Sequence, residues 1–310
     1  MTTDSNSTPR ILLLGGNGFL GAHLAQSLRD GWQLRTFDRP GSRHHGVGEF
    51  VPGDIANSDD LDAALDGCGA LVYLVHDSGV SPLMDSDRLS LLRNLELLML
   101  TLESARRTGV GKIAFISSGG TVYGVPESQP VGEDHPLRPI SAYGVAKASM
   151  EMYLRVAARQ HGLQTLIVRP SNPYGPGQNP QRKQGVVSIF THRILRGEQI
   201  EIWGDGESCK DYLHVRDLTD GFARLLAAGF DNQCYNIGSG MATSLNEIVA
   251  AVEKVAARKA NVVYRQPRTA DVSTIILDPR KLEQRIGPRE LICFEAGIRE
   301  MVDWLERQRF

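Results

Sequence analysis

The feature that most constrains this chain is a glycine turn in a fixed setting. The apolar run RILLL leads straight into Gly15-Gly16-Asn17-Gly18-Phe19-Leu20-Gly21, and a helical pattern follows from Phe19 to Arg29. A buried strand that turns through glycines into a helix is the opening unit of a dinucleotide-binding fold. Without side chains at Gly15, Gly18 and Gly21, the backbone can approach a pyrophosphate. The first turn of the helix, at Phe19 and Leu20, offers unpaired N–H groups and a partial positive charge. The alternative, a tight turn with no ligand, leaves the conformational cost of so many glycines without a use.

The rest of the first half repeats the alternation. QLRTFDR, EFVPGD, ALVYLV, KIAFISS and LQTLIVRP read as further strands, separated by helices expected near Ser58 to Asp66, Asp87 to Arg107 and Ser141 to His161. Strands that alternate with helices specify a parallel sheet covered on both faces. After Pro170 the pattern changes. SNPYGPGQNPQ is dense in proline, glycine and asparagine and predicts irregular backbone. Helices are expected near Val186 to Arg196, Asp217 to Ala228, Ser244 to Arg258 and Glu295 to Arg307, with a short strand EQIEIW. The expected fold class is therefore α/β: a Rossmann-type doubly wound parallel sheet with a smaller, mixed C-terminal substrate lobe. The sheet domain is assigned to residues 9–172, with 211–235 packing back onto it, and the lobe to 173–210 and 236–310. A ligand is expected in the crevice between them.

Composition excludes several classes. A net charge of −2 over 310 residues does not suit a nucleic-acid binder, which needs a basic face. No apolar run approaches the roughly 18 residues of a membrane span. The leader MTTDSNSTP is polar and reads as disordered, without the apolar middle of a secretory signal. Cys68, Cys209, Cys234 and Cys293 form no CxxC pair and are expected to be reduced, buried thiols of a cytoplasmic protein. No metal site is expected.

Two positions refine the ligand. Asp38 ends the second strand, 22 residues after Gly16. A carboxylate there accepts hydrogen bonds from the adenosine ribose and repels the extra phosphate of NADP, so the expected cofactor is NAD, with Arg39 next door as a softening charge. Asp54 and Ile55, in the turn after the third strand, stand where adenine would be contacted. Asp54 is equally read as an ordinary loop or helix-capping residue. Further on, Tyr143 and Lys147 are four apart at the start of a helix and so share one face. An ammonium beside the phenol is expected to lower its pKa and free the phenolate as a general base.

Together GGNGFLG, Asp38, ISSGGTVYG, YGVAK, RPSNPYGPGQ and IWGDG resemble the extended short-chain dehydrogenase/reductase family. Among its members they are most similar to the NAD-dependent nucleotide-sugar epimerases and dehydratases, and the resemblance runs from Ile11 to about Leu305. It implies that Tyr143 takes a proton from a sugar hydroxyl and that Lys147 holds the nicotinamide ribose. It also implies that Asn94, otherwise an incidental polar residue on a leucine-rich helix, supports the site. Asn172, Lys210 and Arg268 are implied contacts of the substrate diphosphate; a turn former (Asn172) or solvated charges (Lys210, Arg268) are the alternatives. Lysine at 210, where relatives have arginine, loses the bidentate fork. Ile275 stands where side-chain size gates the sugar and is intermediate in bulk. The loop HDSGVSP after the fourth strand departs from the family's small-residue run.

One departure touches the chemistry. The serine or threonine that bridges base and sugar in the family falls on Gly119, leaving Ser118 first and Thr121 second as replacement hydroxyls. The acidic residues that eliminate water in the dehydratases are absent, since Gly120 and Thr121 stand there. The expectation is epimerisation of a nucleotide sugar, a UDP-hexose at C4, by a homodimer joined through the helices Asp87 to Arg107 and Ser141 to His161. The alternatives are a nucleotide-sugar reductase or dehydrogenase that releases its cofactor, and an NAD-binding scaffold without catalysis.

Overall fold

A computed structural model describes residues 8–77, 85–182, 184–267 and 274–308. Strands β1 (Arg10–Leu14), β2 (Gln33–Asp38), β3 (Glu49–Pro52), β4 (Ala70–Tyr73), β5 (Lys112–Ile116) and β6 (Gln164–Pro170) alternate with four helices: α1 (Phe19–Leu28), α2 (Ser58–Leu65), α3 (Asp85–Arg107) and α4 (Ala142–His161). Then come β7 (Asn172–Tyr174), α5 (Val186–Arg196), β8 (Gln199–Trp203), β9 (Cys209–Lys210), β10 (Tyr212–His214), α6 (Val215–Ala228) and β11 (Gln233–Ile237). The chain finishes with β12 (Thr243–Ser244), α7 (Leu245–Ala256), β13 (Asn261–Arg265), β14 (Thr274–Ile275), α8 (Arg280–Ile286) and α9 (Phe294–Arg307).

The central sheet has seven strands in the order β3-β2-β1-β4-β5-β6-β11. The five pairs from β3 to β6 are parallel. The order runs outward in opposite directions from β1 and β4, which places the topological switch point between them. Residues 11–14 of β1 are wholly buried, as a strand covered on both faces must be. Each such leucine stabilises the fold by about 2 kcal/mol relative to exposure. Arg35, buried in β2, is anchored by the carbonyls of Ala64 and Asp66 (both 2.8 Å) at the end of α2 and by Glu49 (2.8 Å).

The chain divides into two compact units. The first comprises residues 1–118, 141–168 and 222–235; the second comprises 119–140, 169–221 and 236–310. Residues 119–140, expected with the sheet domain, group with the second unit, where Gly119 N–H donates to Pro170 (2.8 Å) and Val131 N–H to Ile276 (2.7 Å). The core of the second unit gathers Val187, Phe190 and Ile194 of α5, Ile248 and Val252 of α7 and Ile298 of α9.

Several pieces differ from the sequence expectation. The start of the proline-rich stretch is not irregular: Asn172–Tyr174 pairs in parallel with β10, because its backbone finds a partner strand, and the turn residues follow it. Strands β11 and β13 and helix α8 carry no strong periodic signal and were not expected; β13 pairs with β8 over five residues. All four cysteines are free, but only Cys68 and Cys234 are buried, and Cys293 is exposed at the start of α9.

Candidate active site

The glycine turn is shaped by what it excludes. Gly15 has φ +84°, and a Cβ there would lie 3.1 Å from Val75 Cγ2 at the end of β4. A Cβ on Gly21 would fall 2.5 Å from the Gly16 carbonyl oxygen, so helix α1 can seat on the turn only with glycine at both places. No side chain caps α1 and no acidic residue occupies its first turn. Its terminal N–H groups at Phe19, Leu20 and Gly21 are thus free of a competing carboxylate, as an anion cradle requires.

Asp38 stands at the end of β2, its carboxylate fixed by the N–H groups of Asn17 (3.2 Å) and Arg39 (2.8 Å). The glycine turn therefore positions the Asp38 carboxylate itself. Asn17 also donates to Ser42 Oγ (2.8 Å), and its carbonyl is bonded to His45 Nε2 (2.9 Å). Asn17 was not singled out in the sequence, where it reads only as a turn residue. Asp54 accepts from Ala56 N–H (2.9 Å) in an Asx turn, while the helix cap is Asn57; Ile55 packs against the core. These features fit a dinucleotide at the carboxyl ends of β1 and β2.

The second half of the site is carried by α4, capped by Ser141, whose side chain accepts from Gly144 N–H (3.1 Å). Tyr143 is hydrogen-bonded by Ser118 at the end of the β5 segment. Burial raises its phenol above the ordinary tyrosine value, and the Ser118 bond opposes that shift. The lowering expected from Lys147 is not what this geometry produces. Lys147 is buried and donates to the Ile116 carbonyl (2.9 Å), and its ammonium lies 6.0 Å from the Tyr143 ring centre. Burial brings Lys147 itself down to about 8, against the pull of the Glu151 carboxylate. Glu151 is wholly buried one helical turn on, bonded by Ser117 Oγ (2.5 Å) and Arg155 (3.1 Å).

Two further residues complete this corner. His76 follows β4 and meets the Tyr143 ring edge to face, with centres 4.5 Å apart. Burial and the neighbouring Lys147 charge depress its imidazole to about 4. Its only sequence signal was its place at the head of HDSGVSP, most of which lies outside the described residues. Asn94, fully buried on α3, accepts from Asp77 N–H (2.9 Å) and donates to the Asp77 carbonyl (2.7 Å), so its amide serves the exit of β4 as a strand partner would.

In the second unit, Gly119 has no room for the family's hydroxyl residue. A Cβ there would lie 2.4 Å from Leu277 Cδ1 and 3.0 Å from the Pro170 oxygen. Leu277 is held in turn, its N–H donating to Asp211 (3.2 Å). Thr121 Oγ1 is buried without a hydrogen-bond partner. Asn172 donates to the Asp211 carbonyl (3.0 Å), and its Oδ1 lies 3.6 Å from where a Cβ on Gly120 would stand. Lys210, partly buried in β9, is in register with Ile275, which is buried. Arg268 lies outside the described residues.

With this geometry in view, a model of the NAD dependent epimerase/dehydratase family matches residues 11–238. The chain belongs to that family. A putative UDP-glucose 4-epimerase of Methanocaldococcus jannaschii is 33% identical, over 96% of this chain and 98% of the relative. The crystal structure of a UDP-glucose 4-epimerase with UDP-glucose from Thermotoga maritima superposes with a TM-score of 0.88 at 32% identity, covering 96% of this chain and 99% of that one. A Thermus thermophilus UDP-glucose 4-epimerase in complex with NAD gives 0.86 at 30% identity, with the same coverage. Family membership makes the chain an NAD-dependent enzyme, and the glycine turn and Asp38 are the features of this chain that suit NAD. No helix of the described residues is long and apolar enough to cross a membrane.

Proposed function

We propose that the chain interconverts the C4 epimers of a nucleotide sugar, a UDP-hexose, through a transient 4-keto sugar. The observation that carries this reading is the hydrogen bond between Ser118 and Tyr143 above a buried Lys147. NAD, when bound, supplies a reversible hydride acceptor and a positively charged ring. Tyr143 takes the proton of the sugar hydroxyl and later returns it. Ser118, rather than Thr121, carries that proton between sugar and phenol, filling the role for which Gly119 has no side chain. On this reading Lys147 binds the cofactor ribose, while the Ser118 hydrogen bond is what favours the phenolate. No carboxylic acid stands at Gly120 or Thr121 to protonate a leaving hydroxyl, which favours epimerisation over elimination.

On the same reading Asn172, Lys210 and Arg268 hold the substrate diphosphate, and Asp54 and Ile55 lie along the adenine. The dimer is assigned to α3 and α4, which pack together. Their outer faces expose Leu89, Leu92 and Met99 on one helix and Val145, Met152 and Val156 on the other. Single exposed apolar residues are ordinary, but six on two adjoining helices suit a second copy. The unpaired cysteines agree with a cytoplasmic, reducing location.

The test is turnover of UDP-sugars by purified protein with catalytic NAD, products separated by chromatography. Conversion of one sugar to its C4 epimer, reaching one ratio from either side with no net NADH, is expected. Net NADH change would instead mark a reductase. Alanine at Ser118 is expected to lower turnover far more than alanine at Thr121; unchanged turnover in both overturns the proton bridge. Light scattering at micromolar concentration is expected to give the mass of a dimer.

A further inference from the structure

We propose that His76 is a binding residue of this site, its imidazole Nδ1 forming a hydrogen bond to a hydroxyl of the bound ligand, either a ribose hydroxyl of the cofactor or a ring hydroxyl of the sugar. The inference rests on the reading of the site given above and adds to it a residue that the Tyr143, Lys147 and Ser118 machinery leaves unused.

Position is the first argument. His76 leaves the sheet from β4, the neighbour of β1 at the topological switch point, where α/β sheets bind ligands at their carboxyl ends. The residue before it, Val75, is the one that a Cβ on Gly15 would touch, at 3.1 Å. On its other side the ring stands 4.5 Å from Tyr143, at 82°. His76 is thus set between the turn that cradles phosphate and the phenol that faces the reacting hydroxyl. Between those two points a dinucleotide or a sugar presents hydroxyl groups.

The second argument is an unmet polar atom. His76 Nδ1 is buried and has no hydrogen-bond partner. Buried polar groups in folded proteins nearly always find one, and leaving one unpaired is costly. Neither Lys147, which donates to the Ile116 carbonyl, nor Ser118, which bonds Tyr143, forms a hydrogen bond to Nδ1. Nor is the ring loosely placed, since Asn94 fixes both backbone groups of the next residue, Asp77.

The third argument concerns the protonation state. Burial and the Lys147 charge hold the imidazole neutral at physiological pH, with Asp77 opposing. A neutral imidazole has one nitrogen that donates and one that accepts, and either suits a hydroxyl. So low a basicity makes His76 a poor proton acceptor at neutral pH, which separates its role from that of Tyr143.

Two substitutions separate the nitrogen from the ring. His76→Phe keeps an aromatic edge against Tyr143 and removes the nitrogen; His76→Asn puts a polar atom near the position of Nδ1. Calorimetry with NAD alone, and with UDP-glucose in the presence of saturating NAD, reads binding without turnover. His76→Phe is expected to weaken one of the two on the order of tenfold, the worth of one hydrogen bond, and His76→Asn to recover most of the loss. A weaker NAD affinity assigns the hydroxyl to the cofactor; an unchanged NAD affinity with weaker UDP-glucose assigns it to the sugar. Equal loss in both variants means packing and overturns the proposal. So do affinities within about twofold of wild type in both arms, or unchanged NAD affinity when the wild type itself does not bind UDP-glucose. Wild-type binding of NAD without any sugar conversion would count against the epimerase reading while leaving the cofactor arm readable. Should His76→Phe fail to fold, His76→Leu against His76→Asn makes the same comparison.

Discussion

Two carboxylates are buried to almost the same degree, Glu151 in the first unit and Asp211 in the second, and they are buried in different company. Asp211 is enclosed by donors that do not titrate at ordinary pH. Its oxygens take the Ser239 N–H (2.9 Å) and hydroxyl (2.7 Å), the Gly240 N–H (3.1 Å) and the Leu277 N–H (3.2 Å). Glu151 is bonded by side chains, Ser117 and Arg155, and its field acts on Lys147, a group whose charge lies within reach of physiological pH. Burial alone does not distinguish an acid that only ties backbone together from one that acts on a titratable neighbour. Whether its neighbours can change charge does. Asp211 ties three backbone segments together; Glu151 holds up the charge of Lys147.

Breaking the contrast most sharply is Tyr143→Phe. Turnover should fall about a thousandfold, within the usual worth of a general base, while the midpoint of thermal unfolding stays close to wild type. A comparable loss of stability would mean that the phenol is part of the core. Asp211→Ala is the mirror image: it strands several buried donors and should cost about 3 kcal/mol in urea unfolding, with activity falling only as the folded fraction falls. Gly119→Ser tests whether the missing hydroxyl can be restored. With Leu277 held by Asp211, the new side chain should overpack, costing about 1–3 kcal/mol and lowering turnover instead of raising it.

The last effect is confined to a pH window. Lys147 has a value of about 8 in the folded protein against 10.5 for an ordinary lysine. Between those values the unfolded chain binds more protons, so stability rises with pH there; below about 8 the burial penalty is present in full. Relative to Lys147→Met, the wild type should therefore gain stability from about pH 8 to about pH 10.5, as urea unfolding at stepped pH would record. Glu151→Gln should extend that window to lower pH, since the carboxylate is what holds the ammonium up in the folded protein. No movement would show that Glu151 is as purely architectural as Asp211.

How much of this was legible beforehand follows the same division. The glycine turn, Asp38 and the Tyr143–Lys147 pair lie within one or two elements, so spacing along the chain equals spacing in the fold. Gly119 reads in the sequence as an unexplained departure from the family's hydroxyl residue, because its reason, Leu277, is more than 150 residues away. Strands β7 and β11 were missed because proline content and short length conceal pairing that a distant strand provides. The expected downward shift of Tyr143 failed on orientation: a spacing of four brings the two residues to one face but does not say that the ammonium turns to Ile116. For His76 the sequence offers only its place in HDSGVSP, a loop that departs from the family's small-residue run, since nothing in its neighbours predicts a ring against Tyr143.

Asn94 gives α3 a mechanical role. One side of that helix grips the backbone at Asp77, and its outer surface carries Leu89 and Leu92. Any contact that fixes the roll of the helix about its own axis also fixes where β4 ends, and with it the aim of His76. A rotation of one residue, about 100°, would carry the amide off its two bonds altogether, so this corner has a single seated position.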